Sequence, residues 1–214
     1  MIGDLAARVS TLVGHRVQVA FVDVLGPTPS EVLTRADGPA IVVPAFLSRG
    51  YHVRSDLPAH VAASGHPDVV VAPALGPSRD IVRIVAEQLV NSGLRRGDSV
   101  ILAAAGTSDQ RARADLRTTA ALLSTLLGSP VDLAFVATGE PRLHEAIQRV
   151  RARRGKRRVA VASYLLADGL FQERLRTCGA DVVSEALSTH PGLARLIAGR
   201  FQTATAGRAV AANA

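Results

Sequence analysis

One short stretch of this chain gathers the side chains best suited to chemistry: Arg49, Tyr51, His52 and Arg54 stand close together, just beyond the apolar run Ile41-Val42-Val43-Pro44. An imidazole can hold a metal or move a proton near neutral pH, and two guanidinium groups can each meet a carboxylate through paired hydrogen bonds. The same arginines could equally form surface salt bridges, and a single histidine after a strand can be just a polar loop residue. Asp23 closes another apolar run, where it could cap the region around Pro27 or pair with an arginine. His190, before Pro191, can simply open a helix, and His15, His60, His66 and His144 read as surface residues. Cys178 is the single cysteine, which excludes an internal disulfide and any cysteine-based zinc site. A metal would have to use histidine, carboxylate or water.

The elements that must position these residues alternate between strand and helix. Ile2, Leu5, Val9 and Leu12 recur at steps of three and four and predict an amphipathic helix closed by Gly14. A β-branched run predicts a strand over 17–24, and Pro27-Thr28-Pro29-Ser30-Glu31 starts a helix with proline and hydroxyl residues in their usual N-terminal places. Strands are expected at 40–44 and 69–72, with helices at 57–63 and 79–91. Further strands are expected at 99–104, 131–137, 159–164 and 181–184, with a long helix at 110–127 and a last one from 192 to 201. Continuous apolar strands of this kind fit parallel sheets covered on both faces.

The order of elements also repeats. Val17-Gln18-Val19-Ala20-Phe21-Val22 returns as Val131-Asp132-Leu133-Ala134-Phe135-Val136, and Phe46-Leu47-Ser48-Arg49-Gly50 as Leu165-Leu166-Ala167-Asp168-Gly169. Leu75-Gly76-Pro77 likewise corresponds to Leu187-Ser188-Thr189-His190-Pro191. The unit is too long for a solenoid repeat and predicts two similar lobes, residues 1–94 and 95–214, each with its own sheet and a cleft between them. The second lobe holds four strand–helix units; the first lacks the strand that should precede its opening helix.

Composition narrows the class. With 214 residues, 48% of them hydrophobic, the chain can bury a sizeable core. No apolar run reaches the roughly 18 residues of a membrane span, and the N-terminus lacks the pattern of a signal peptide, so a cytoplasmic protein is expected. Net charge is +7, carried almost entirely by arginine, with Lys156 the single lysine. The densest cationic run, Arg149 to Arg158, reads as a solvated helix end and loop. Only 3% of residues are aromatic and none is tryptophan, which leaves little to stack bases on and argues against nucleic acid as a partner. A basic surface around a cleft would equally suit a small polyanion.

The stretch Pro44-Ala45-Phe46-Leu47-Ser48-Arg49-Gly50-Tyr51-His52-Val53-Arg54-Ser55-Asp56-Leu57-Pro58 resembles the strand, loop and histidine followed by Asp-hydrophobic-Pro of the sirohydrochlorin chelatases, the CbiX-like relatives of the class II tetrapyrrole chelatases. Val19-Ala20-Phe21-Val22-Asp23 is similar to that family's strand ending in an acidic residue, and Leu187-Ser188-Thr189-His190-Pro191 to its Leu-Gly-x-His-Pro turn. The resemblance covers essentially the whole chain and implies two chelatase-like lobes, each a parallel four-stranded sheet flanked by helices. It also implies insertion of Fe²⁺ or Co²⁺ into a carboxylate-rich tetrapyrrole without ATP and with no cofactor beyond the substrate metal. Two pyrrole protons must leave as the ion enters, so such a site needs an imidazole for a borderline cation and a basic group near the macrocycle. On this resemblance His52 is the metal ligand or base and Asp23 its acidic partner, with Arg49, Tyr51 and Arg54 placed to bind substrate.

Departures from the family pattern are as informative. The family opens with a strand ending in His-Gly-Ser/Thr-Arg, which this sequence does not contain; we therefore expect the natural chain to begin about 15 to 20 residues upstream, a rough length for one strand and its turn. In the second lobe Ala105, Phe171 and Ala137 occupy the places of that histidine, of His52 and of Asp23. Only the first lobe is then expected to be catalytic. The alternatives are a non-catalytic descendant that binds a tetrapyrrole or metal and, third, a basic α/β protein that binds nucleic acid. Two fused lobes supply a cleft that single-lobe relatives would build by dimerising, which favours a monomer.

Overall fold

The computed structural model describes residues 2–154 and 157–212; Met1, and residues 155–156 of the cationic run, lie outside them. Helix α1 (Ile2–Val13) opens the chain, followed by α2 (Pro29–Thr34), β1 (Ala40–Val42), α3 (Leu57–Ala63), β2 (Val69–Val71) and α4 (Arg79–Asn91). The second half runs β3 (Ser99–Gly106), α5 (Gln110–Leu127), β4 (Val131–Thr138), α6 (Leu143–Arg154), β5 (Val159–Tyr164), α7 (Leu170–Arg176), β6 (Val182–Val183) and α8 (Pro191–Ala212). Two parallel sheets result, β1-β2 and β4-β3-β5-β6. No helix among the described residues is long and apolar enough to cross a membrane.

The larger sheet shows why its strands read as unbroken apolar runs. Val100, Leu102 and Ala104 of β3 point into one core with Leu75, Val85, Leu89 and Leu123, whereas Ile101 and Ala103 point into another with Leu143, Ile147 and Leu175. Successive side chains go to opposite faces, and both faces are covered by helices. Helix α4 packs against α5, β5 and α8, so its buried stripe, Ile81, Val85 and Leu89, joins elements from both halves of the sequence. Each fully buried side chain of this kind contributes roughly 1.5–3 kcal/mol. Caps fix the helix starts: Thr28 and Glu31 form a reciprocal capping box, Ser78 accepts from the Ile81 N–H, and Asp109 accepts from the N–H groups of Arg111 and Ala112.

The smaller sheet departs from expectation. A strand over 17–24 and a sheet of three or more strands were expected in the first half; two strands form, and residues 17–22 belong to neither sheet. The reason lies in the repeat. In the second half β3 is the ladder neighbour of both β4 and β5, and the segment repeated at 17–22 corresponds to β4. The described residues of the first half hold no counterpart of β3, so the segment has no neighbour to bond. Its end nevertheless keeps the same turn: Phe21 N–H donates to the Pro27 carbonyl at 2.9 Å, as Phe135 N–H does to Pro141 at 3.0 Å. β1 and β2 are correspondingly only partly buried, whereas every residue of β5 is buried. The strands expected at 40–44 and 181–184 shorten to Ala40–Val42 and Val182–Val183, and the last helix continues past 201 to Ala212.

One of the close contacts between the two halves is made by a phenol. Tyr164, buried at the end of β5, donates its hydroxyl to the Leu47 carbonyl at 2.8 Å. Burial pushes that phenol well above its usual range, so it stays a neutral donor. A Cβ on Gly76 would stand 2.3 Å from the Leu47 oxygen and 2.5 Å from the Tyr164 hydroxyl. We expect Gly76→Ala to destabilise the protein by about 2 kcal/mol, whereas Gly199→Ala, in open space on α8, should be neutral or stabilise by up to about 1 kcal/mol. Urea unfolding of both variants checks the contrast.

Candidate functional site

The chain leaves β1 through Pro44 and crosses to the second half before turning back into α3. Phe46 anchors this crossing, its carbonyl accepting from the Leu75 and Gly76 N–H groups at 3.1 and 3.2 Å. The Gly50 carbonyl then accepts from the N–H groups of Val53 and Arg54, and residues His52–Asp56 form a π-helical turn that runs directly into α3. The histidine therefore sits in the first turn of a continuous helical segment rather than in a loop. Helical spacing puts residues four apart on one face. His52 Nδ1 accordingly lies 2.5 Å from Asp56 Oδ2. An ionised carboxylate only accepts, so Nδ1 donates in this bond and Nε2 is the ring nitrogen left for a ligand. The ring stacks on Phe46 at 6.1 Å between centroids and meets Tyr51 edge-on at 6.3 Å, with 48% of the side chain exposed.

Both arginines beside His52 are committed to carboxylates of the protein itself. Arg49 gives Asp115 its main-chain N–H at 2.8 Å, Nε at 3.0 Å and Nη2 at 2.6 Å. Arg54 gives Nη2 to Asp109 Oδ2 at 2.5 Å and Nε to the Arg49 carbonyl at 3.2 Å. Of the two roles open to Arg49 and Arg54, substrate carboxylates or salt bridges, the structure shows ion pairs to α5 and its cap. Burial pushes the Asp115 carboxyl up, but the side-chain and main-chain bonds from Arg49 and its charge outweigh this and hold the carboxyl below the usual range. The N–H groups of Ala112 and Arg111, together with Arg54, likewise hold the Asp109 carboxyl low, against a smaller opposing effect of desolvation.

His52 opens on a cleft of about 380 Å³ between residues 46–53 on one side and 106–109 on the other. Gly106 is required there: its φ is +131°, and a Cβ would stand 2.2 Å from the Thr138 carbonyl oxygen. A larger hollow of about 470 Å³ lies at the N-terminal ends of β1 and β2, between residues 33–39 and 64–68. The cleft at His52 is the better candidate, because open parallel sheets place ligands beyond the carboxyl ends of their strands. In the hollow, His66 Nδ1 is already taken by the Asp68 N–H.

The other predicted residues fall in different places. Tyr51 is exposed at the rim of the cleft. Asp23 is exposed in the turn after 17–22 and does not line the cleft; the carboxylate bonded to His52 is that of Asp56. His190 is buried, with Nδ1 accepting from the Gly192 N–H at 3.1 Å and Nε2 3.2 Å from Glu87, where it closes the start of α8. Phe171, at the place of His52, sits in the first turn of α7. Among the described residues no group of three or more His, Cys, Asp or Glu is arranged to hold a metal ion. Asp56, Asp109 and Asp115 were the residues sequence reasoning missed. The i, i+4 spacing of His52 and Asp56 signalled the first, and Asp115 stood out as a charged residue on the apolar stripe of α5.

Comparisons with known proteins bear on the fold. The profile of the CbiX family matches residues 1–92 and 99–204. Among solved structures, SirB from Bacillus subtilis with Fe³⁺ aligns with a TM-score of 0.80 at 18% identity, over 97% of this chain and 90% of that one. The sirohydrochlorin chelatase SirB from Bacillus subtilis subspecies spizizenii in complex with cobalt gives 0.69 at 20% identity, over 95% and 89%. CbiX, the terminal enzyme for biosynthesis of siroheme in denitrifying bacteria, gives 0.70 at 24% identity, over 94% and 89%. No curated protein sequence matches. These likenesses establish the fold.

The Asp115 pair has a defined pH signature. Its carboxyl ionises at lower pH in the folded than in the unfolded chain, so its contribution is complete above the unfolded value of about 4 and is lost as the pH falls through the folded one. Asp115→Asn should cost about 2 kcal/mol near neutrality, and the gap between wild type and variant should narrow in acid. Urea unfolding at neutral and acid pH measures it, and a gap independent of pH would contradict the assignment.

Proposed function

The chain belongs to the CbiX family of sirohydrochlorin chelatases, and on that premise we propose that it inserts Co²⁺ or Fe²⁺ into a carboxylate-rich tetrapyrrole without ATP, as a lyase of siroheme or cobalamin formation. The observation that carries this reading is an imidazole, oriented by a carboxylate, on a cleft between the two halves of the chain. Asp56 accepts from Nδ1 and fixes the orientation of the ring. Nε2 then grips the incoming ion, because imidazole suits borderline divalent metals. Tyr51 offers an aromatic edge to the flat macrocycle. Asp23, exposed at the end of segment 17–22 and outside the lining of the cleft, takes no part in this reading. The domain division at 94/95 and a monomeric state belong to the same proposal, as does the cytoplasm, whose reducing conditions suit the one free cysteine.

Incubating the protein with sirohydrochlorin and Co²⁺ or Fe²⁺, with the spontaneous rate subtracted, should show a protein-dependent change in the absorbance bands. His52→Ala should abolish it, and Asp56→Asn should lower it roughly 10- to 100-fold. A rate that His52→Ala leaves untouched contradicts the assignment. One observation favours a second reading, a tetrapyrrole or metal carrier: His52 and Asp56 form a pair with no third ligating side chain grouped beside them among the described residues. Retention of the tetrapyrrole without turnover supports that reading instead.

A further inference from the structure

We infer that Asp115 and Asp109 of the second half are positioning residues for His52 of the first. His52 is bracketed by two clamps, one at Arg49 and one at Arg54, and both close on the segment that begins at the α5 cap. Six residues separate the two acids in sequence, about 9 Å along a helix. The two pairs thus pin the turn on both sides of its histidine. The Arg49 clamp includes the main-chain N–H as well as the guanidinium, so it fixes the backbone that leads into the turn. The Arg54 clamp ties back through Nε to the Arg49 carbonyl, which makes the two clamps one network.

The carboxylate of Asp115 sits on the buried stripe of α5 between Ala112, Leu116 and Thr119, with a side chain only 8% exposed. Placing a charge there carries a desolvation cost that an apolar pair of similar size would avoid. What the ion pair supplies and an apolar pair does not is direction: three donors converge on one carboxylate. An error of about 1 Å in a reacting group can lower a rate about a hundredfold, so a rigid seat for the imidazole has a direct use. The catalytic half is in this way registered against the half that has lost its own histidine. For turnover the inference rests on the chelatase reading; for the placement of His52 it does not.

The test uses the full-length protein with ¹⁵N-labelled histidine. In the wild type the His52 ¹⁵N shifts should report one tautomer, with the proton on Nδ1. Asp115→Asn, Arg49→Gln and the double variant should each shift His52 toward a mixture of tautomers. The double variant should be no worse than either single one, because each cuts the same clamp. Arg54→Gln, whose acid partner Asp109 is less buried than Asp115, should give a smaller shift in a chain that stays folded even if Asp115→Asn does not. A purely structural role would lower melting temperatures and leave the His52 shifts as in the wild type, and that result in folded variants overturns the inference. In the chelation assay kcat should fall about tenfold with KM little changed. If the wild type shows no turnover, the chelatase reading fails while the histidine shifts still decide the role of the clamp.

Discussion

A carboxylate inside a protein must find donors or lose its charge, and that constraint on Asp115 organises the site. Its partners could not come from α5, whose own N–H groups are used within the helix. They come from Arg49, which delivers a main-chain and two side-chain hydrogen bonds from the other half of the chain. Once Arg49 is fixed, the turn that follows has little freedom. Gly50 accepts from Val53 and Arg54, the helical segment starts, and His52 emerges with Asp56 on the same face. The histidine therefore faces a cleft whose opposite wall, at Gly106 and Thr107, belongs to the same half as its anchor.

The two halves keep one plan and differ in their use of it. Both carry the strand-end turn in which a phenylalanine N–H meets a proline carbonyl six residues on. Both place a short helix after the crossing, led by His52 in one and by Leu170 and Phe171 in the other. The second half invests in burial, with a four-stranded sheet covered on both faces. The first half has a smaller sheet, half-buried strands and the His52 wall of the cleft. This division suits a scaffold that holds and a partner that acts.

Helices were the most legible elements: the limits of α4 and α5 follow from apolar periodicity, a serine or aspartate cap and, for α5, the left-handed Gly128. Strands β3 and β5 were also legible as continuous apolar runs, because burial on both faces removes alternation. Segment 17–22 has the same composition, but strand formation depends on a neighbour, and composition does not say whether one exists. Around His52 the residues were legible and their partners were not. Arg49 and Asp115 lie 66 positions apart, and no local pattern joins them. Asp56 is legible from its i, i+4 spacing to His52, whereas Asp23 rests on a motif resemblance that carries no geometry.

Nε2 of His52 is the proposed seat of a divalent ion on its way to a macrocycle. Anomalous diffraction from crystals soaked in Co²⁺ locates that ion directly. The predicted result is a peak about 2 Å from His52 Nε2 that disappears in His52→Ala. A cobalt peak elsewhere on the protein, with the His52 ring unengaged, would contradict it.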